Sequence, residues 1–508
     1  MWMNVCSMLD ECGSNVDKVK ERLSKNFDEY NVYPDSIYYL DGSFFFLALV
    51  QRSKKLIVYH EGNVFDKFTG DETDCGKGKV KICDLSNENC MLIREIFPFT
   101  KPSSHKGVNT TVGLGDRLGL ASAGHIRTLK GKKVFPVLAQ QSIRELNLTG
   151  RDYNDVLAAA SWAVFQEGYT SGFGADGDHL KTAEEVKMAI GCGFTMITLD
   201  CSEHIDNSIP SLSQTEIDEL YMALPDGDRL LLEGKYLGTK FKTDNESHIE
   251  FEKEEFRKIV LIYLKAIRYT IKIYNDTIKN CGRAIDFEMS IDETLTSTSP
   301  ESHYFVASEL ISGGVDITSL APRFCGEFQK GIDYIGDIKQ FKVEFDMHVK
   351  IAHLLGYKIS VHSGSDKFSI FPVIGERTGG TYHLKTAGTN WLEAVRVISV
   401  LDPALYRRIH KFAVDNLEAA KKYYHISAKV SNVPDINTME DKELPRLLDL
   451  NDSRQVLHIT YGLVLTAKNK DGSFMFRDEI YDLLNRHERE YYKALQKHIG
   501  RHLDTLGI

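Results

Sequence analysis

The sequence has no C-x-x-C pair, no long apolar run and no concentrated stretch of Lys and Arg, and each absence removes a class of function. Nine cysteines (Cys6, Cys12, Cys75, Cys83, Cys90, Cys192, Cys201, Cys281, Cys325) are scattered. An odd number without a framework reads as reduced thiols of a cytoplasmic protein, neither disulfide staples nor a zinc knuckle. The most apolar early run, around Phe44–Val50, is far too short to span a bilayer. The acidic N-terminus lacks the apolar core of a signal peptide. A net charge of -10 and a pI near 6.0 fit neither a nucleic acid nor an anionic membrane surface as partner. Internal repeats and low-complexity tracts are also missing. Gly172–Gly177 and Gly379-Gly380 do not fit a phosphate P-loop, and Ser363 lies in His-Ser-Gly-Ser, which is not a G-x-S-x-G elbow. With 42% hydrophobic and 26% charged residues the composition is that of a globular protein, so a small molecule is the expected partner.

What is present is a long alternation of strand-like and helix-like segments. Residues 1–106 read as a β-rich cap domain. Ser36–Leu40, Phe44–Gln51 and Lys55–His60 are strand-like, Lys79–Cys83 and Met91–Ile96 continue the pattern, and Asp41-Gly42 supplies a turn. Residues 107–400 carry eight candidate strands: Thr110–Gly115, Val134–Ala139, Tyr169–Gly174, Phe194–Asp200, Ala284–Glu288, Val315–Ala321, Lys358–His362 and Thr381–Thr386. Amphipathic segments such as Asp155–Gln166, Thr182–Ile190, Phe256–Lys279 and Asp337–Leu355 separate them. That order predicts an α/β protein with a (β/α)₈ TIM-type barrel. Residues 401–508 read as a helical C-terminal extension that packs beside the barrel or forms a homo-oligomer interface.

An open doubly wound sheet competes, because Gly172, Gly174 and Gly177 spell G-x-G-x-x-G after a strand and Asp200 ends the next one. The helix starts too late for the third glycine, at Thr182, and Asp176 and Asp178 would repel a pyrophosphate. No NAD is expected.

Barrel enzymes place their chemistry at the C-terminal ends of the strands. Those ends carry Asp116 and Arg117, Gln140 and Gln141, Asp178 and His179, Asp200, Glu288, Arg323, His362 with Ser363, and His383 with Lys385. Alternation sends Asp286, Glu288, His362, His383 and Lys385 inward, where charge must be paired or bind metal. His179, His362 and His383 are the candidate ligands of a divalent cation, with Glu288 or Asp200 able to replace one of them. Each histidine reads equally as a hydrogen-bonded barrel residue. Asp178, beside a candidate ligand, suits a general base, and Glu288 the opposite acid. Arg117, Arg323 and Lys385 suit a carboxylate or sugar hydroxyls.

Several runs, in order, resemble the bacterial tagaturonate/fructuronate epimerase family: Thr111–Gly119, Gly174–Thr182, Thr198–Ser202, Phe287-Glu288, Leu320–Phe324, Ser360–Lys367 and Lys385–Trp391. The resemblance extends from about Gly107 into the C-terminal helices. It implies a divalent-metal-dependent isomerase (Zn, Mn, Ni or Co) acting on a keto sugar acid in hexuronate catabolism. It carries the metal role to His179, His362 and His383, and the acid/base roles to Asp178 and Glu288. The substrate-binding set is Asp116, Arg117, Gln140, Asp200, Arg323, Ser363 and Lys385. Retro-aldol cleavage and re-addition, transient oxidation by a nicotinamide, and a Schiff base at Lys385 are the routes such an epimerisation allows. A metal-dependent sugar isomerase or aldolase, and a non-catalytic sugar-binding barrel, remain the rival readings.

Overall fold

Residues 2–25, 31–60, 63–292 and 294–508 are described by the computed structural model. The first strands form a five-stranded antiparallel sheet: β1 (Tyr38–Leu40), β2 (Ser43–Val50), β3 (Ser53–Tyr59), β4 (Asp71–Cys75) and β5 (Gly78–Asp84), in spatial order β1-β2-β3-β5-β4. Residues Ser43–Ala48 of β2 are all buried, because both faces of the sheet are covered. Phe44, Phe46 and Ala48 pack with Val5, Leu9, Val19 and Leu23 of the two N-terminal helices. Phe45 and Leu47 point the other way, against Ala158, Trp162 and Phe165 of the helix Tyr153–Gln166. Period-two alternation thus feeds two cores, and the second fastens the sheet to the flank of the following barrel.

Two sequence expectations change here. Met91–Ile96 lies in a helix, Asn87–Ile96, started by the Ser86 hydroxyl accepting from the Asn89 N–H. The edge strand β4 went unread because its residues are exposed up to Cys75, so no apolar alternation marks it. The fastening is testable. Trp162→Ala is expected to destabilise the protein by about 3–5 kcal/mol, read from denaturant midpoints, while turnover per folded molecule persists because the sheet is remote from the site described below.

The barrel is closed and wholly parallel. Its strands are β6 (Thr110–Leu114), β7 (Phe135–Ser142), β8 (Gly174–Leu180), β9 (Met196–Asp200), β12 (Asp286–Ile291), β13 (Ser319–Pro322), β14 (Lys358–Val361) and β15 (Tyr382–Thr386). Each pairs with the next in chain order and β15 closes on β6. A short hairpin, β10 (Lys240–Lys242) with β11 (His248–Glu250), interrupts the series after β9. The third barrel strand lies at Gly174–Leu180, further along than the expected Tyr169–Gly174. Its sequence, Gly-Ala-Asp-Gly-Asp-His-Leu, contains no apolar run, since its inward side chains serve polar partners. Two glycines of the apparent dinucleotide fingerprint lie inside this strand. A Cβ on Gly177 would stand 3.0 Å from the Ala189 Cβ, so this glycine admits the covering helix Ala183–Cys192, and no phosphate-binding turn forms.

Ser104 and His105 close the N-terminal mouth of the barrel: the Ser104 hydroxyl and the His105 backbone N–H donate to Asp286 at 2.8 and 2.7 Å. The C-terminal helices, among them Thr389–Leu401, Asn451–Ile459 and Glu488–Leu506, share one continuous apolar core with the barrel. Trp391, fully buried, donates its indole N–H to the Leu457 carbonyl at 2.8 Å. Among the described residues, no helix is long and apolar enough to cross a membrane.

Candidate active site

Lys385 stands on the inward face of β15 and gathers carboxylates from across the barrel. Its ammonium lies 2.8 Å from Asp176, 2.8 Å from Asp178 and 2.9 Å from Glu288, and it donates to the Thr198 hydroxyl. Burial opposes the charge on this lysine, but the three carboxylates outweigh it and hold its pKa well above the usual amine value. Such an amine stays protonated, which opposes a Schiff base at Lys385. Burial raises Asp176 to about 6. Asp178 and Glu288 are also buried, yet Lys385 and the neighbouring histidines hold both well below the carboxylate range.

Above this cluster, toward the C-terminal mouth, His179, Asp292 and His362 turn toward one another, with ligand atoms all within 4.8 Å. His179 lies beside Asp178 at an irregularity of β8, with φ +54°. That bulge lets two consecutive side chains line one cavity, as strict alternation would forbid. A carboxylate only accepts, so the His179 Nδ1–H donates to Asp178 at 2.8 Å, leaving Nε2 3.7 Å from Asp292. Likewise the His362 Nε2–H donates to Glu288 at 2.8 Å, leaving Nδ1 3.3 Å from the other oxygen of Asp292. Burial opposes protonation of both rings, but the surrounding carboxylates win and raise both pKa values.

This donor set fits a divalent cation. Two imidazoles and a carboxylate offer three ligand atoms, and each imidazole is oriented through its other nitrogen by a buried carboxylate. A second cluster, Asp366 with His498 and His502, does not fit as well. The His502 Nε2 already accepts from the Asp366 N–H at 3.0 Å, and Arg454 neutralises Asp366 from 2.9 Å.

The expected residues separate into layers. His383 does not join His179 and His362. It pairs in register with Ser360, two residues below His362, and two residues of strand rise span roughly 6.6 Å. Its Nδ1 lies 2.8 Å from the Thr111 hydroxyl, and burial holds the ring neutral. Asp292 takes the place expected of His383. The expected strand Ala284–Glu288 in fact runs on to Ile291, so the inward series Asp286, Glu288, Ser290 continues to Asp292. The same alternation, carried four residues further, reaches Asp292.

Glu288 therefore lies in the floor beneath the cavity. It accepts from Ser319 at 2.5 Å, contacts His362 and Lys385, and is fully buried. Asp116 is consumed by its own loop, accepting four backbone N–H groups from Leu118 to Ser122. Asp200 accepts from the Ser202 N–H and faces Lys181, away from the cavity. Arg323 lines an outer cleft, and Ser363 lies between that cleft and the inner cavity. Arg117, Gln140, Asp178 and Lys385 do line the inner cavity. Sequence reading missed Lys330 and His458, which also line it. Neither lies at the end of a barrel strand, where strand alternation marks inward residues.

The profile of the tagaturonate epimerase family matches residues 33–506. The chain belongs to this family. Membership places it among the epimerases. A tagaturonate/fructuronate epimerase from Thermotoga maritima is 42% identical over 483 residues, covering 94% of this chain and 97% of that protein. The fold agrees with a glycerol-bound crystal structure of the fructuronate-tagaturonate epimerase from Cohnella laeviribosi. That family member is 49% identical, covers 97% of this chain and 99% of its own, and superposes with a TM-score of 0.92. A crystal structure of the same enzyme with two glycerols gives 50% identity and the same TM-score, over 96% of this chain and 98% of that one.

Proposed function

We propose that the chain interconverts D-tagaturonate and D-fructuronate with a divalent cation held by His179, Asp292 and His362. The observation that carries this reading is the paired orientation of the two imidazoles toward Asp292 above a protonated lysine, in a member of the tagaturonate epimerase family.

The two keto acids differ at a carbinol carbon β to the ketone, whose C–H is not acidic enough for simple deprotonation. Retro-aldol chemistry meets that demand. Loss of the carbinol hydroxyl proton forms an aldehyde, the adjacent C–C bond breaks, and its electron pair passes to the ketone as an enolate. Rotation of the aldehyde and re-addition on its other face give the epimer. A bound divalent cation supplies Lewis-acid polarisation of the ketone. Asp178, ionised and lining the cavity, takes the hydroxyl proton and returns it after re-addition. The Lys385 ammonium, 2.8 Å from Asp178, keeps that carboxylate ionised and oriented. Glu288 holds His362 and Lys385 from below.

Product analysis with tagaturonate tests the reaction directly. Metal-replete protein is expected to form fructuronate, chelation to abolish turnover, and Zn, Mn, Ni or Co to restore it. Full epimerisation after the metal has been stripped would sink the metal-assisted route. Turnover of sugar phosphates but not of the keto acids would sink the substrate assignment.

A further inference from the structure

The inner cavity is lined by carboxylates, among them Asp178 and Asp292, and also by Arg117, Lys330 and His458, with Glu145 beside Arg117. Arg117 and His458 carry buried donors that lack partners among the described residues. Arg117 is 1% exposed, gives Nε and one terminal nitrogen to Glu145 at 3.0 and 2.9 Å, and stacks on Tyr461 at 3.8 Å. Its other terminal nitrogen is buried with no acceptor among the described residues. Lys330 donates to the Ser363 hydroxyl at 2.9 Å, with Glu145 and Asp292 the carboxylates that act on it through space. His458, 1% exposed, has no hydrogen-bond partner on either ring nitrogen among the described residues.

The position of His458 is built in. It comes from the helix Asn451–Ile459, far from the barrel strands in sequence, and packs against the backbone of Gly388, just past β15. A Cβ on Gly388 would stand 2.0 Å from the His458 ring, so only glycine admits that ring. Burial, with Arg117 and Lys330 adding to it, holds the ring neutral, a state with one N–H to donate. Buried donors left without acceptors are costly, and the two on Arg117 and His458, lining one cavity with the Lys330 ammonium, imply an absent acceptor of negative charge.

We propose that Arg117, Lys330 and His458 form the subsite for the substrate's carboxylate, so that the C-terminal helices complete the active site. This rests on the proposed keto-acid reaction. It deepens that reading by locating the acid group at the cationic and orphaned donor groups of the cavity lining, since the carboxylates of Asp178 and Asp292 would repel it. The ketone end is thereby directed toward His179, Asp292 and His362.

The test is independent of turnover. Galactonate carries the carboxylate but no ketone, and galactitol is its neutral counterpart. Calorimetry on the metal-replete protein is expected to show galactonate binding at least ten-fold more tightly than galactitol. Lys330→Met and His458→Gln are expected to remove most of that preference; Lys330→Arg should keep it. Lys330 is partly exposed on a loop, so its variants are expected to fold, which circular dichroism checks. No preference for galactonate in the unaltered protein, an unchanged preference in Lys330→Met, or tighter binding of a hexitol phosphate would each overturn the proposal. If galactonate binds as expected but tagaturonate is not turned over, the subsite stands and the reaction assignment fails.

Discussion

Asp292→Ala is expected to abolish binding of the proposed divalent cation and to lower epimerisation on the order of 10³-fold, whereas His383→Gln is expected to leave metal content unchanged. The loss follows from what a Lewis acid contributes: several kcal/mol of charge stabilisation in the transition state, at about 1.36 kcal/mol per ten-fold in rate. Asp292 is the residue both imidazoles face, at 3.7 and 3.3 Å, so its removal leaves two histidines with no anionic ligand between them. His383 lies a layer lower against Thr111, so its replacement leaves the three ligand atoms where they are. Metal content per chain after dialysis, measured by elemental analysis alongside initial rates, checks both variants. Equal metal loss from His383→Gln and Asp292→Ala would show that the ligand set has been misassigned.

Asp178→Asn is expected to lower kcat about 10²–10⁴-fold, the range for loss of a positioned acid–base group, with metal content largely retained. The substitution keeps the size of the side chain but removes the charge that pairs with Lys385 at 2.8 Å and accepts from His179 at 2.8 Å. An amide oxygen still accepts from His179, so the ring keeps its orientation while the proton acceptor is lost. Glu288→Gln has a different signature. Glu288 touches His362 and Lys385 and lies beneath the cavity, so its neutral analogue is expected to weaken metal affinity, about 10–100-fold for a residue behind a ligand. A competition titration with a metal indicator separates the two effects. A loss of kcat in Glu288→Gln as deep as in Asp178→Asn, at saturating metal, would contradict the division of roles.

Some of this was legible in the residues alone. Parallel β/α alternation specifies strands through short apolar runs and helices through amphipathic spacing, and both signals are local. Seven of the eight barrel strands accordingly lie within a few residues of their expected positions. The exception, β8, hides because the chemistry sits on it: Asp176, Asp178 and His179 replace the apolar residues by which a strand is recognised. Met91–Ile96 misleads for a related reason, since a short apolar run suits a strand or a helix and only the Ser86 cap decides between them.

By itself, the sequence determined the barrel, the inward faces of Glu288, His362 and Lys385, and the family to which they belong. Depth along the barrel axis was decided only by the tertiary structure. Inward residues two apart on a strand share a face but occupy different layers, and the layer depends on strand register, which is set by pairing between distant segments. That is why His383 falls below the candidate ligand cluster while Asp292, beyond the expected end of its strand, reaches it. Tertiary structure also decided His458 and Lys330. They reach the cavity through long-range packing, and no local pattern marks a side chain that fills a space made for it by a glycine 70 positions away in the chain, as Gly388 does for His458.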